Sequence, residues 1–173
     1  MTGAADILSE TGPQPVRERA RKPLYTPAER ARRDASPWTL VQGILAPVQF
    51  LVFLVSLALV VRFLLVGEGE GAATASIVAK TMILYLIMVT GAIWEKSVFG
   101  RYLFAPAFFW EDVFSMLVLA LHTAYLAMLF AGIGTPEEQM LVALAGYAAY
   151  VVNAGQFVWK LRLARLDAGA GQR

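Results

Sequence analysis

Cysteine is absent from this chain, which excludes disulfides, thiolate metal sites and cysteine nucleophiles. Histidine occurs once, so a histidine-rich metal box is excluded too. Charge is scarce: Asp, Glu, Lys and Arg make up 16% of the residues, well below the share usual in soluble domains. Neither sign dominates, because 15 Lys and Arg against 13 Asp and Glu leave a net charge of +2, and that balance argues against a nucleic-acid partner. The glycine patterns of a P-loop or Rossmann turn and the serine-hydrolase elbow are missing. The first 37 residues hold charged and proline-rich sequence and no apolar core for a cleavable signal peptide.

Apolar residues fill the rest. They make up 58% of the 173 residues and give a mean hydropathy of +0.57, the composition of a membrane protein of one domain. Four stretches, at about 40–66, 72–94, 113–131 and 140–159, are each long enough to cross a hydrocarbon core of roughly 30 Å as a helix. The fold class expected is therefore an all-α membrane protein with four transmembrane helices. Pro47 should mark a kink in the first of them, or the junction between an interfacial turn and the true span. Arg62, near the far end of that helix, should snorkel.

Residues 1–37 read as a mobile basic cytoplasmic leader with a short helix near 26–34, where Thr26 caps, Pro27 takes the first position and Glu29 closes a capping box. Residues 38–166 form the transmembrane domain and 167–173 a tail. The connectors GEGEG and GIGTPEE carry acids and no Lys or Arg, whereas the leader, the middle connector with Lys96 and Arg101, and the tail segment with Lys160, Arg162 and Arg165 carry the cations. By the positive-inside rule both termini and the middle connector should be cytoplasmic.

The stretch from Trp94 to Tyr125 draws attention because it places Glu95, Glu111, Asp112 and His122 in very apolar surroundings. Ionisable groups are costly there and persist chiefly when partnered or when they line a site. Phe99, Tyr102, Phe104, Phe108, Phe109 and Trp110 crowd into the same connector; they suit an interfacial aromatic belt, an aromatic floor for a flat apolar ligand, or both. Glu111 and His122 are eleven positions apart and fall within roughly 20° of each other on a helix, with Ser115 between them and Tyr125 close to the same face. They are also roughly 16 Å apart along the axis, too far for a dyad but within reach of one large ligand.

Each residue has a plainer reading. Glu111 and Asp112 open a helix, where carboxylates cap free N–H groups. His122 suits an interhelical hydrogen bond, or metal ligation through a neutral imidazole nitrogen. Lys80 snorkels or meets an acid inside the bundle, and Asn153 and Gln156 bond between helices beside the small residues Ala145, Gly146 and Ala149. Spacing alone leaves enzyme, pigment-binding protein and small transporter subunit open.

The runs YTPAERARRDAS, WTLVQGILAPVQFLVFLVSLALV, GAIWEKSVFGRYLFAPAFFWEDVFSMLVLALHTAY and YVVNAGQF resemble the 3-vinyl bacteriochlorophyllide hydratase family of phototrophic bacteria. The similarity extends from about Pro23 to Leu166, and departures are confined to the leader, the outer loops and the tail. The resemblance implies hydration of the C3 vinyl group of chlorophyllide a, or of a bacteriochlorophyllide precursor, to a 1-hydroxyethyl group. It implies no cofactor, since magnesium belongs to the chlorophyllide substrate. The partners implied are that pigment, water, the lipid bilayer and other bacteriochlorophyll-biosynthesis enzymes, with no nucleic acid. The location implied is the bacterial cytoplasmic membrane, inner or intracytoplasmic photosynthetic. The alternative is a non-catalytic membrane pigment-binding or assembly protein.

Protonation of the terminal vinyl carbon followed by water addition needs an acid still protonated near neutral pH and a group that guides water. Glu111 or Glu95 is expected to donate the proton, with Glu111 preferred for its aromatic and apolar surroundings, and Asp112 or the other glutamate to guide water. His122 is a candidate axial ligand to the substrate magnesium, or a more distant proton donor. Arg101 and Lys96 would pair with the free propionate, and Tyr125, Trp110 and Phe109 would contact the macrocycle.

Overall fold

The structure, a computed structural model, describes residues 23–170, with side chains as far as residue 166. Most of the expected leader and the last three residues of the tail lie outside the described residues. Within them the chain is helical: α1 (Pro27–Ala35), α2 (Pro37–Val66), α3 (Glu70–Phe99), α4 (Phe109–Ala131) and α5 (Pro136–Ala170), with no strand among the described residues. All but α1 are long and apolar enough to cross a membrane, as the four apolar stretches require.

Helix ends follow from local chemistry more than from hydropathy. Gly67 and Gly132 stop α2 and α4 in the left-handed conformation (φ 76° and 63°), which glycine adopts without a Cβ penalty. Apolar content places the end of α3 at residue 94, but the helix runs through Glu95, Lys96 and Ser97 to Phe99, where Gly100 (φ 82°) stops it. A charged residue ends an apolar window without breaking the backbone ladder. For the same reason α4 begins at Phe109, ahead of Glu111 and Asp112, and α5 passes Trp159 into its basic last turns. Pro47 lies inside α2, which continues through it without a break.

The helices pack as two antiparallel pairs, α2 with α3 and α4 with α5, and α1 lies across the end of α3. Short hydrogen bonds set the register of the first pair: Gln42 Nε2 to Thr90 Oγ1 at 2.7 Å, Trp94 Nε1 to Thr39 Oγ1 at 2.9 Å, and Ser56 Oγ with Ser76 Oγ at 2.7 Å. The pairs meet where Phe53 packs on Tyr147 and Tyr150, and where Tyr147 shares a 2.5 Å hydrogen bond with Ser56. With four antiparallel passes, the start of α2, the end of α3, the start of α4 and the last turns of α5 share one end of the bundle. All three acids singled out from the sequence gather there.

α1 closes part of that end. Thr26 and Glu29 form a reciprocal capping box, and Arg32 Nε donates to Val98 O at 2.7 Å. Tyr25 stacks on Phe99 with centroids 5.8 Å apart. Burial pushes the Tyr25 phenol above its usual pKa, with the nearby Arg33 guanidinium opposing the rise. Phe99, Phe108, Trp94 and Phe157 complete an aromatic cluster around Tyr25.

Candidate active site

Between α3 and α4 the chain passes through 100–108 in a tight strap, and two consecutive backbone amides of that strap point at two carboxyl groups. Phe104 N–H donates to Asp112 Oδ2 at 2.6 Å, and Ala105 N–H donates to Glu95 Oε2 at 3.2 Å. Phe104 adopts φ 58°, a left-handed conformation costing a residue with a Cβ roughly 1–2 kcal/mol. The short, charge-assisted bond to Asp112 offsets that cost.

The carboxyl group of Glu95, from the last turn and a half of α3, stands next to that of Asp112, from the first turn of α4. Both are buried, at 5% exposure. Two buried carboxyl groups side by side are an arrangement that can share a proton.

Glu111 stands beside the pair but has a different partner. Lys160 Nζ, from the last turns of α5, lies 2.5 Å from Glu111 Oε2. The same ammonium donates to Ala107 O and sits 4.9 Å from the centre of the Phe108 ring. The cluster thus sets a carboxyl pair and a lysine–glutamate pair side by side, built from α3, α4, α5 and the strap.

The other residues expected at the site lie elsewhere. His122 is fully buried, with Nδ1 2.8 Å from Val118 O and Nε2 3.0 Å from Lys80 Nζ. Its Nδ1 proton goes to the carbonyl and its Nε2 lone pair is taken by the lysine, so neither nitrogen is open to a ligand. Tyr125, also fully buried, belongs to the mid-bundle core with Phe53, Val60 and Tyr147. Trp110 and Phe109 are exposed at 65% and 44% and pack edge-to-face on each other. They suit an interfacial belt better than an enclosed floor. Lys96 bonds Gly100 O at 2.9 Å and Arg101 reaches Phe104 O at 3.5 Å; both cations stay exposed at the rim.

Sequence reasoning left Lys160 among the basic residues of the tail, because an apolar window ends just before it. Its signal lay in helical spacing: Asn153, Gln156 and Lys160 recur at i, i+3 and i+7, one polar stripe on an apolar helix. No group of His, Cys, Asp or Glu among the described residues is arranged to hold a metal ion.

Four long apolar helices with a buried carboxyl pair and a lysine–glutamate pair at one end define a polytopic membrane protein carrying an acid–base cluster. The sequence profile of the 2-vinyl bacteriochlorophyllide hydratase family matches residues 25–163, and the chain belongs to that family. A Rhodobacter capsulatus protein named 2-vinyl bacteriochlorophyllide hydratase is 71% identical over 152 residues, covering 87% of this chain and 88% of that protein. A protein of the same name from Cereibacter sphaeroides is 70% identical over 150 residues, covering 86% and 92%. The family's name carries the locant 2 where the resemblance above was expressed as 3-vinyl; vinyl hydration is common to both. No solved structure matches the chain.

Proposed function

We propose that this protein hydrates the ring vinyl group of a chlorophyllide-type pigment in a bacterial photosynthetic membrane, giving the 1-hydroxyethyl product on the route to bacteriochlorophyll. The substrate we favour is chlorophyllide a, whose magnesium is part of the pigment; no further cofactor takes part. The observation that carries this reading is the adjacency of the Glu95–Asp112 pair to the Glu111–Lys160 pair. Vinyl hydration needs one group that gives a proton and another that takes one.

The shared proton of Glu95 and Asp112 goes to the terminal vinyl carbon, leaving a cation on the adjacent carbon that the macrocycle delocalises. Water adds to that cation while Glu111, paired with Lys160, accepts the proton the water loses. Glu111 then returns a proton to the neighbouring pair, so the cycle closes with one water added and no net change in the protein. This division moves the acid from Glu111, preferred on composition, to the Glu95–Asp112 pair, because Glu111 is engaged by the Lys160 ammonium. Arg101 and Lys96, exposed at the rim of the same end, would pair with the propionate. By the positive-inside rule this end and both termini face the cytoplasm, where other enzymes of the route would deliver and collect pigment.

The direct test is incubation of the purified protein with chlorophyllide a in oxygen-18 water, followed by mass measurement of the pigment. One labelled water incorporated at the vinyl group is the expected result. Unchanged pigment in a tight complex would identify a pigment carrier.

A further inference from the structure

Water is a substrate of this reaction, and the bundle buries polar groups along a line that leads to Glu111. Asn153 Nδ2 donates to Ser115 Oγ at 2.8 Å, joining α5 to α4 one turn below Glu111. Asn153 Oδ1 has no hydrogen-bond partner in the protein, nor has Gln156 Oε1 on the next turn of α5 towards Lys160. On α2, Gln49 is 1% exposed, yet neither its Nε2 nor its Oε1 has a partner.

These side chains share a region of the fold. Gln49 belongs to the buried stripe of α2 with Phe53 and Ser56, which touches α5 through Tyr150 and Tyr147. Four residues up α2 from Phe53 and three up antiparallel α5 from Tyr150 bring Gln49 and Asn153 to the same level. Gln156 and Lys160 follow on the Asn153 stripe, roughly 5 and 10 Å higher along the axis. A buried amide atom without a partner is destabilising, and four such atoms within two adjacent turns of an apolar bundle are a cost that bound water removes.

We infer that Gln49, Asn153 and Gln156 hold a short file of ordered water molecules that supplies the nucleophile to Glu111. At hydrogen-bond spacings of about 2.8 Å, three or four waters span the rise from Asn153 to Lys160. Gln49 and Asn153 anchor the lower end, Gln156 the middle, and Glu111 receives the last water. The site rests on the hydratase reading for its purpose but not for its existence: the unpartnered amides are there whatever the pigment does.

The test uses the full-length protein in nanodiscs, with Gln49→Leu and Gln156→Leu measured separately. Infrared difference spectra between ordinary and oxygen-18 water read internal water in the absence of pigment. The wild type should show shifted bands of buried, weakly bonded O–H groups, and each leucine variant should lose part of them. With chlorophyllide a, kcat should fall about ten-fold or more while KM for pigment stays near the wild-type value. Gln49→Asn, which keeps an amide, should recover part of both signals.

A purely structural amide predicts the opposite, since leucine would relieve an unsatisfied buried group and leave kcat unchanged. Wild-type bands and wild-type kcat in both leucine variants overturn the water file; lost bands with an unchanged kcat overturn its supply role. Should Gln49→Leu fail to fold, Gln156→Leu decides alone. A wild-type protein that shows the bands but never hydrates pigment overturns the hydratase reading and leaves the water site standing.

Discussion

Lys160 and Glu111 meet at 2.5 Å across 49 residues of sequence, and this contact joins the last turns of α5 to the first turn of α4. It gives Glu111 a charge partner at an end of the bundle where two other carboxyl groups, Glu95 and Asp112, stand side by side. Lys160→Met should therefore lower hydration by about 10²–10⁴-fold, the range lost with a general base, because Glu111 loses the partner that holds and orients its carboxyl group. Lys160→Arg should recover part of the rate. The Lys160→Met, Glu111→Gln double variant should be no slower than either single one, since both act through one interaction. Steady-state rates on the four proteins check this, and additive losses would separate the two residues.

The division of labour between the two pairs makes a sharper prediction. If the Glu95–Asp112 pair protonates the vinyl group reversibly, heavy water should exchange deuterium into the terminal vinyl carbon even when water addition is blocked. Glu111→Gln should keep that exchange while losing the hydroxyethyl product. Glu95→Gln and Asp112→Asn should lose both, with pigment binding retained. Proton NMR of recovered pigment distinguishes the outcomes, and exchange surviving in Glu95→Gln would return the acid role to Glu111.

How much of this was legible in the sequence depended on the range of the interaction. Four spans could be read because twenty or so apolar residues in a row have few other fates, and the capping signature at Thr26 and Glu29 was local enough to see. The ends of α3 and α4 were misplaced by four or five residues, because Glu95 and Asp112 look like the edges of apolar windows yet lie within helices. The three acids could be named; their partners could not. Which carboxyl meets which depends on the left-handed Phe104 aiming two amides inward and on α5 bringing Lys160 to Glu111, and neither is visible in periodicity along one helix. The stripe shared by Glu111, His122 and Tyr125 was geometrically sound, but it runs from the cluster into the mid-bundle core.

The rim cations carry a separate expectation. Arg101 is exposed and bonded only weakly, to Phe104 O at 3.5 Å, so it is free to meet an anionic substituent without giving up a strong partner. Arg101→Ala should weaken binding of chlorophyllide as the free acid about three- to ten-fold, the scale of an exposed ion pair of up to about 1 kcal/mol or slightly more. Binding of the methyl ester should be unaffected. Fluorescence titration of both pigments measures the difference, and equal loss for the two would remove the propionate contact.

Gly146 makes the last prediction, because it tests the core apart from the chemistry. A Cβ built there would stand 2.8 Å from His122 Cε1 and 2.9 Å from Nδ1, closer than carbon atoms tolerate. The ring cannot swing away freely, since Val118 O holds Nδ1 and Lys80 holds Nε2. Gly146→Ala should therefore destabilise the protein by about 1–3 kcal/mol through overpacking, although alanine is the better helix former by about 1 kcal/mol. The His122→Ala background removes the obstacle, so adding Gly146→Ala there should cost nothing further and gain the helix propensity instead. Thermal unfolding of the four proteins in detergent reads this coupling directly. Pigment affinity should stay level in His122→Ala, because a ring with both nitrogens engaged in the core does not ligate the substrate; a fall in affinity for magnesium pigment but not for its metal-free form would restore the axial role.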